Sequence, residues 1–175
     1  DVYKRQLIRR HRHSDEVASV VGEQWAERKE PKNIPVEASA EENAVAGELE
    51  QTWIHTNANP AQDRLFPWTL VKAFLSSPAA LGETIENRLK RVPQADINQR
   101  EALERLQALN AKVTRQYSNK YAALVNYLQE IGVGKGKKTR AVVFSERVAT
   151  LHWLKENLTK DLKICLLYTS DAADE

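Results

Sequence analysis

The sequence predicts an α/β fragment, mostly α-helical, in which a helical connector leads into the first βαβ unit of a sheet lying largely beyond the chain. Three observations carry this reading. Apolar residues recur at three- and four-residue steps through most of residues 39–131, the period of helices with one buried face. Ser, Asp and Pro stand where those helices would begin. At Gly132 the pattern changes, and Ala141-Val142-Val143-Phe144 forms a compact run without alternation, as in a strand covered on both faces.

Residues 7–38 read as the exit of a preceding domain. Leu7-Ile8 is a short apolar piece, followed by the basic run Arg9-Arg10-His11-Arg12-His13. Ser14 then offers a cap, Asp15 and Glu16 occupy the first turn, and Val17, Val20, Val21 and Trp25 follow at helical spacing. Asn33 to Ala38 is a short extended piece, which Pro35 keeps out of a sheet interior.

Residues 39–132 read as a helical connector. Ser39 and Glu42 have the spacing of a capping box, opening a helix with Val45, Leu49 and Trp53 on its apolar side. A polar loop spans Thr56 to Asp63. Pro67 starts the next helix, with Trp68, Val71 and Leu75 as its expected apolar face. Ser77-Pro78 pairs an N-cap with a proline at the first helical position, and Leu81, Ile85 and Leu89 continue to Arg91. Asp96 and Gln99 cap a helix carrying Leu103, Leu106, Leu109 or Asn110, and Val113. A further helix begins near Asn119, with Tyr121, Leu124, Val125, Leu128 and Ile131.

Residues 133–164 read as the start of a second domain. The basic glycine loop runs through Lys138, then the strand 139–144, then Ser145-Glu146-Arg147. An amphipathic helix follows with Val148, Leu151, Leu154 and Leu158, and Leu162-Lys163-Ile164 is expected to open a second strand. Strand, helix and strand in that order is the beginning of a parallel α/β sheet.

The two ends read differently. Residues 1–6 and Cys165 to Ser170 can be encoded by one short DNA element in opposite orientations, which resembles a sequencing-adapter end; Asp171 to Glu175 resembles its continuation. Residues 1–6 and 165–175 are therefore expected to be adapter-derived and are excluded from fold reasoning. The chain has no methionine, and its one cysteine, Cys165, lies in that end, so cysteine usage says nothing of redox compartment. Setting both ends aside removes two basic and four acidic residues, leaving 24 against 20, a net +4. This permits a nucleic-acid partner without requiring one. No stretch approaches the ~20 apolar residues of a membrane span, so no membrane partner and a cytoplasmic setting are expected.

No catalytic constellation is complete. Gly136-Lys137 would need Gly at 131 and Ser or Thr at 138 to make a phosphate-binding loop; the chain has Ile131 and Lys138, and the loop precedes the strand. His11 and His13 lack partner ligands, so no metal is expected. The pairs Asp15/Glu16 and Glu41/Glu42 fall in helix first turns, where capping explains them. Ser145 and His152 have no nucleophile elbow around them. Trp25, Trp53, Trp68 and Trp153 read as core anchors on apolar helix faces.

Three stretches, in order, are similar to the Swi/Snf-type, superfamily-two DNA-dependent ATPases, in particular the bacterial RapA-like helicases. The first is Leu7 to Arg12 with Pro35 to Glu42; the second is Leu75 to Leu81 with Thr84, Arg88 and Leu89; the third is Lys120 to Leu128 with Arg140 to Glu146. The third resembles the helix and motif IV strand that open the second RecA-like lobe of such motors. Arg147 departs from the pattern, where an aromatic is common, and no Lys-Arg-Leu precedes Ser76-Ser77-Pro78.

The resemblance implies that the parent is an ATP-dependent helicase or translocase, using ATP and magnesium and acting on double-stranded DNA. The nucleotide-binding motifs would lie outside this chain, so the fragment itself is expected to hold no cofactor. The resemblance implies Ser145, with Glu146 and Arg147, as candidate contacts to the nucleic-acid backbone, and Arg9 and Arg10 as further candidates. The alternative is a non-enzymatic helical interaction or adaptor domain, suggested by the long helix expected from Ile97 to Arg115.

Overall fold

The computed structural model describes residues 30–55 and 65–164. The chain divides into two compact units, Asp1–Pro35 and Val36–Glu175. Nearly all of the first unit lies outside the described residues, as do Arg9, Arg10, the expected helix after Ser14 with Trp25, the loop 56–63 and both chain ends.

Six α-helices make up the described part of the second unit: α1 (Ala40–Glu48), α2 (Phe66–Ser76), α3 (Pro78–Leu89), α4 (Ile97–Asn110), α5 (Asn119–Glu130) and α6 (Val148–Leu162). The described residues are mostly helical, as the periodicity predicts. The caps explain the starts. Ser39 Oγ accepts from Glu42 N at 3.0 Å while Glu42 Oε2 accepts from Ser39 N at 2.9 Å, which completes the capping box. Ser77 Oγ accepts from Ala80 N at 3.1 Å, ahead of Pro78, and Asp96 Oδ1 accepts from Gln99 N at 3.2 Å. Ser118 caps α5 in the same way.

After Glu48 the helix widens into a π-helical turn, Leu49–Ile54. Val45, Leu49 and Trp53, all buried, explain why. A four-residue step slightly exceeds one α-turn of 3.6 residues and falls short of the wider π-turn. Alternating the two windings keeps all three side chains on one face.

These residues join Leu70, Ala73, Leu81, Ile85, Leu103 and Leu106 in the main core, where α3 packs against α2, α4 and α6. Burying each Leu or Ile contributes about 1.5–3 kcal/mol. A smaller cluster, with Tyr121, Leu128, Leu158 and Leu162 at its centre, joins α5 to α6. Polar ties reinforce the main core. The Arg88 guanidinium stacks 4.5 Å over the Phe66 ring, and its Nε donates to Gln99 Oε1 at 3.3 Å. Arg100 Nη1 donates to the carbonyls of Leu89 and Val92, both at 3.3 Å, satisfying the end of α3.

Four expectations need correction. The buried face of α2 is Leu70 and Ala73, with Phe66 and Phe74 packed beside them. Trp68 and Leu75 are exposed at 56% and 61%; α2 is apolar nearly all round, so periodicity could not choose a face, and small Ala73 selects the side where α3 fits. Trp68 is therefore not a core anchor, whereas Trp53 is buried and Trp153 packs edge-on against Tyr121 with ring centroids 5.1 Å apart. α4 ends at Asn110 rather than Arg115.

The expected βαβ unit is not shown among the described residues. Residues 137–145 take up no regular secondary structure and pair in no ladder among the described residues. Val142 is 77% and Phe144 91% exposed, so this run is not covered on both faces here. Leu162 does not begin a strand: it is the last, buried residue of α6, and Lys163 follows in the left-handed conformation at φ 52°. Its four-residue step from Leu158 completes the helical face.

Candidate functional site

The segment 143–145 lines a cavity of about 400 Å³ between α2, α3, α5 and α6. Apolar residues such as Phe74, Leu124, Val143, Phe144 and Trp153 line it. So do the polar residues Ser76, Ser77, Thr150, Ser118, Glu42 and Lys120.

Each polar group is positioned by a helix end. Ser76 and Ser77 lie at the α2–α3 corner, and Thr150 lies in the first turn of α6. Thr150 Oγ1 is 2.7 Å from both Ser76 Oγ and Ser77 Oγ. Thr150 and Ser77 are almost wholly buried. Glu42 is buried too, and its carboxylate accepts from Ser39 N and from Ser118 Oγ, the latter at 2.8 Å. Lys120 Nζ donates to the carbonyls of Leu75 and Ser76, the latter at 3.4 Å. A cation there suits the negative end of α2. Asn110 Nδ2 donates to Pro78 O at 2.9 Å, while its buried Oδ1 meets no donor among the described residues.

Beside the cavity, Tyr121 Oη donates to Asp161 Oδ2 at 2.7 Å, and Arg115 bonds the other oxygen of the same carboxylate. Burial, and then the hydrogen bond and charge of Asp161, push the Tyr121 phenol well above its ordinary value.

Ser145 itself is half-buried. Its Oγ accepts from Arg147 N at 3.2 Å and reaches Arg147 O at 3.4 Å. This is a local serine turn that leads the chain into α6. Glu146 is exposed and Arg147 half-buried. Ser145, Glu146 and Arg147 are contiguous at the start of α6; Arg9 and Arg10 lie outside the described residues.

The arrangement orders hydroxyls: serine and threonine bond to one another, and the Glu42 carboxylate is engaged as a cap. No group of three or more His, Cys, Asp or Glu residues suited to a metal occurs among the described residues. No helix among them is long and apolar enough to cross a membrane. Sequence reasoning missed the Ser76–Thr150–Ser77 cluster and the Glu42–Ser118 pair. Ser118 carried a signal, standing three residues before Tyr121 as an N-cap; Thr150 carried none, because a lone threonine on an amphipathic helix does not announce burial. The chain matches no family model, no curated protein and no solved structure.

Proposed function

We propose that the chain is a piece of a Swi/Snf-type, DNA-dependent ATPase, carrying the helical region between its two RecA-like lobes and the motif IV segment that opens the second. The observation that carries this reading is the segment Thr139–Ser145. Its middle, Ala141–Phe144, is apolar, it leaves its backbone without a ladder partner among the described residues, and it exposes Phe144 at 91%. Such a segment suits a strand whose neighbours belong to a larger sheet. Ser145 stands at its carboxyl end, where ligands of open α/β sheets gather. The ordered resemblance from Leu7 to Glu146 supports the same reading. On it, Ser145 holds a DNA phosphate oxygen without reading sequence, and ATP and magnesium are bound by parts of the parent outside this chain.

The adaptor alternative rested on α4. That helix ends at Asn110 and buries Ala102, Leu103 and Leu106 in the core, so α4 itself offers a partner helix little apolar surface.

The test is the parent's full reading frame, expressed and assayed. A phosphate-binding loop with its lysine upstream of residue 7, together with DNA-stimulated ATP hydrolysis, is expected. The present chain alone should hydrolyse no ATP, because positioning and charge stabilisation of the transferred phosphoryl group come from those missing parts. A complete frame without such a loop rejects the reading.

A further inference from the structure

The sequence 131–145 contains Lys135, Lys137, Lys138 and Arg140 and no acidic residue; Glu130 and Glu146 bracket it. All four cations are exposed. The loop that carries them has a defined base. Gly132, at φ 86°, ends α5 in the left-handed conformation that favours glycine. Val133 N donates to Leu128 O at 2.8 Å and Gly132 N to Gln129 O at 3.0 Å, the paired bonds of a Schellman ending. Val133 then packs with Leu128 in the smaller core cluster. At the tip, Lys137 N donates to Gly134 O at 3.1 Å, closing a turn, and Gly136 takes φ 74°. From Lys137 to Ser145 the chain takes up no regular secondary structure.

From this we infer that the loop 134–140 is a binding site for the phosphodiester backbone of duplex DNA. The four cations concentrate positive charge on a short, anchored hairpin with no carboxylate within it to neutralise them. A polyanion is the ligand class that rewards such an array, because each cation that meets a phosphate releases a condensed counterion. The proposed function supplies the identity of the polyanion, and the inference rests on that reading for DNA in particular. An anionic membrane is the competing surface, since Val142 and Phe144 are exposed at 77% and 91%, and the vesicle arm of the test distinguishes it. The site makes no base contacts, so it is indifferent to sequence.

The test uses the 175-residue chain and fluorescence anisotropy with several unrelated duplexes. Four phosphate contacts give a slope of log K against log salt near −3.6, so raising salt from about 50 to about 200 mM should weaken binding about 150-fold. Replacing Lys135, Lys137, Lys138 and Arg140 with Gln should abolish that dependence and most of the binding. Lys135→Arg, Lys137→Arg and Lys138→Arg together should retain both, since charge is what matters. An unchanged melting temperature for both variants shows that the core is intact. Absence of DNA binding by the unsubstituted 175-residue chain, equal binding by the glutamine variant, or equally tight binding to phosphatidylcholine–phosphatidylserine vesicles would each overturn the inference. Those outcomes are distinct from failure of the motor reading, which is decided by the parent's reading frame and ATPase.

Discussion

Removing the Thr150 hydroxyl should loosen α6 from the helical bundle. Thr150→Val keeps the branched shape and the helix preference nearly constant but deletes the atom that lies 2.7 Å from both Ser76 Oγ and Ser77 Oγ. Thr150 is 6% and Ser77 5% exposed, so water cannot readily replace what is lost. Two hydrogen bonds at a net ~1 kcal/mol each give a cost of about 2 kcal/mol. Thr150→Ser keeps the hydroxyl and loses one methyl group, about 0.8 kcal/mol. Ser76→Ala removes only the half-exposed partner and should cost about 1 kcal/mol or less. Urea unfolding followed by circular dichroism reads the order: the midpoint should fall most for the valine variant, with the slope unchanged. In a thermal melt, 2 kcal/mol corresponds to about 4–8 °C for a chain of this size. A valine variant within ~0.5 kcal/mol of wild type would refute the reasoning, as would a serine variant that costs more than the valine; either result makes the site one of packing alone.

Three further outcomes follow from the same structure. Glu42→Ala should destabilise by about 2–3 kcal/mol, because it removes the capping-box carboxylate and strands the buried Ser118 hydroxyl, whereas Ser39→Ala should cost about 1 kcal/mol; chemical denaturation of both checks the ranking. Tyr121 has a phenol raised above its unfolded value near 10, so the protonated form favours the fold. That stability is complete below pH ~10 and is lost as pH climbs further; Asp161→Asn should lower the pH at which the ring ionises, read by carbon NMR of the labelled tyrosine. In the parent, Ser145→Ala should weaken binding to unrelated duplexes by about 1 kcal/mol at fixed salt; unchanged affinity and unchanged DNA-stimulated ATPase would leave Ser145 as a turn residue only.

Helix starts were legible because caps are local. Ser39 with Glu42, Ser77 with Pro78, and Asp96 with Gln99 each state their role within four residues. Helix faces were legible where apolar residues are sparse: Leu81 and Ile85 on α3, and Leu103 and Leu106 on α4, are buried as their spacing predicts. On α2, Phe66, Trp68, Leu70, Val71, Phe74 and Leu75 crowd the circumference, and only the neighbouring helix decides which are covered. The run Ala141–Phe144 pairs in no ladder among the described residues, because a strand is completed by segments far away in sequence. The cavity was illegible for a related reason. Its polar side joins residues 73 or more positions apart, and nothing in the local pattern of Thr150 or Glu42 foretells that meeting.

α6 has a consequence for how the fold opens. Its first turn belongs to the larger core, where Ala149 packs, while Leu158 and Leu162 belong to the smaller one. A helix of 15 residues spans about 22 Å, so one rigid rod is fastened in both clusters. Neither cluster can then open by itself without fraying or breaking that rod. Amide protons along the middle of α6 should exchange with solvent as slowly as those of α3, and by the same global event. A proline placed near Glu156 would divide that event in two, letting the α5 end exchange while the bundle around Leu81 and Leu103 stays closed.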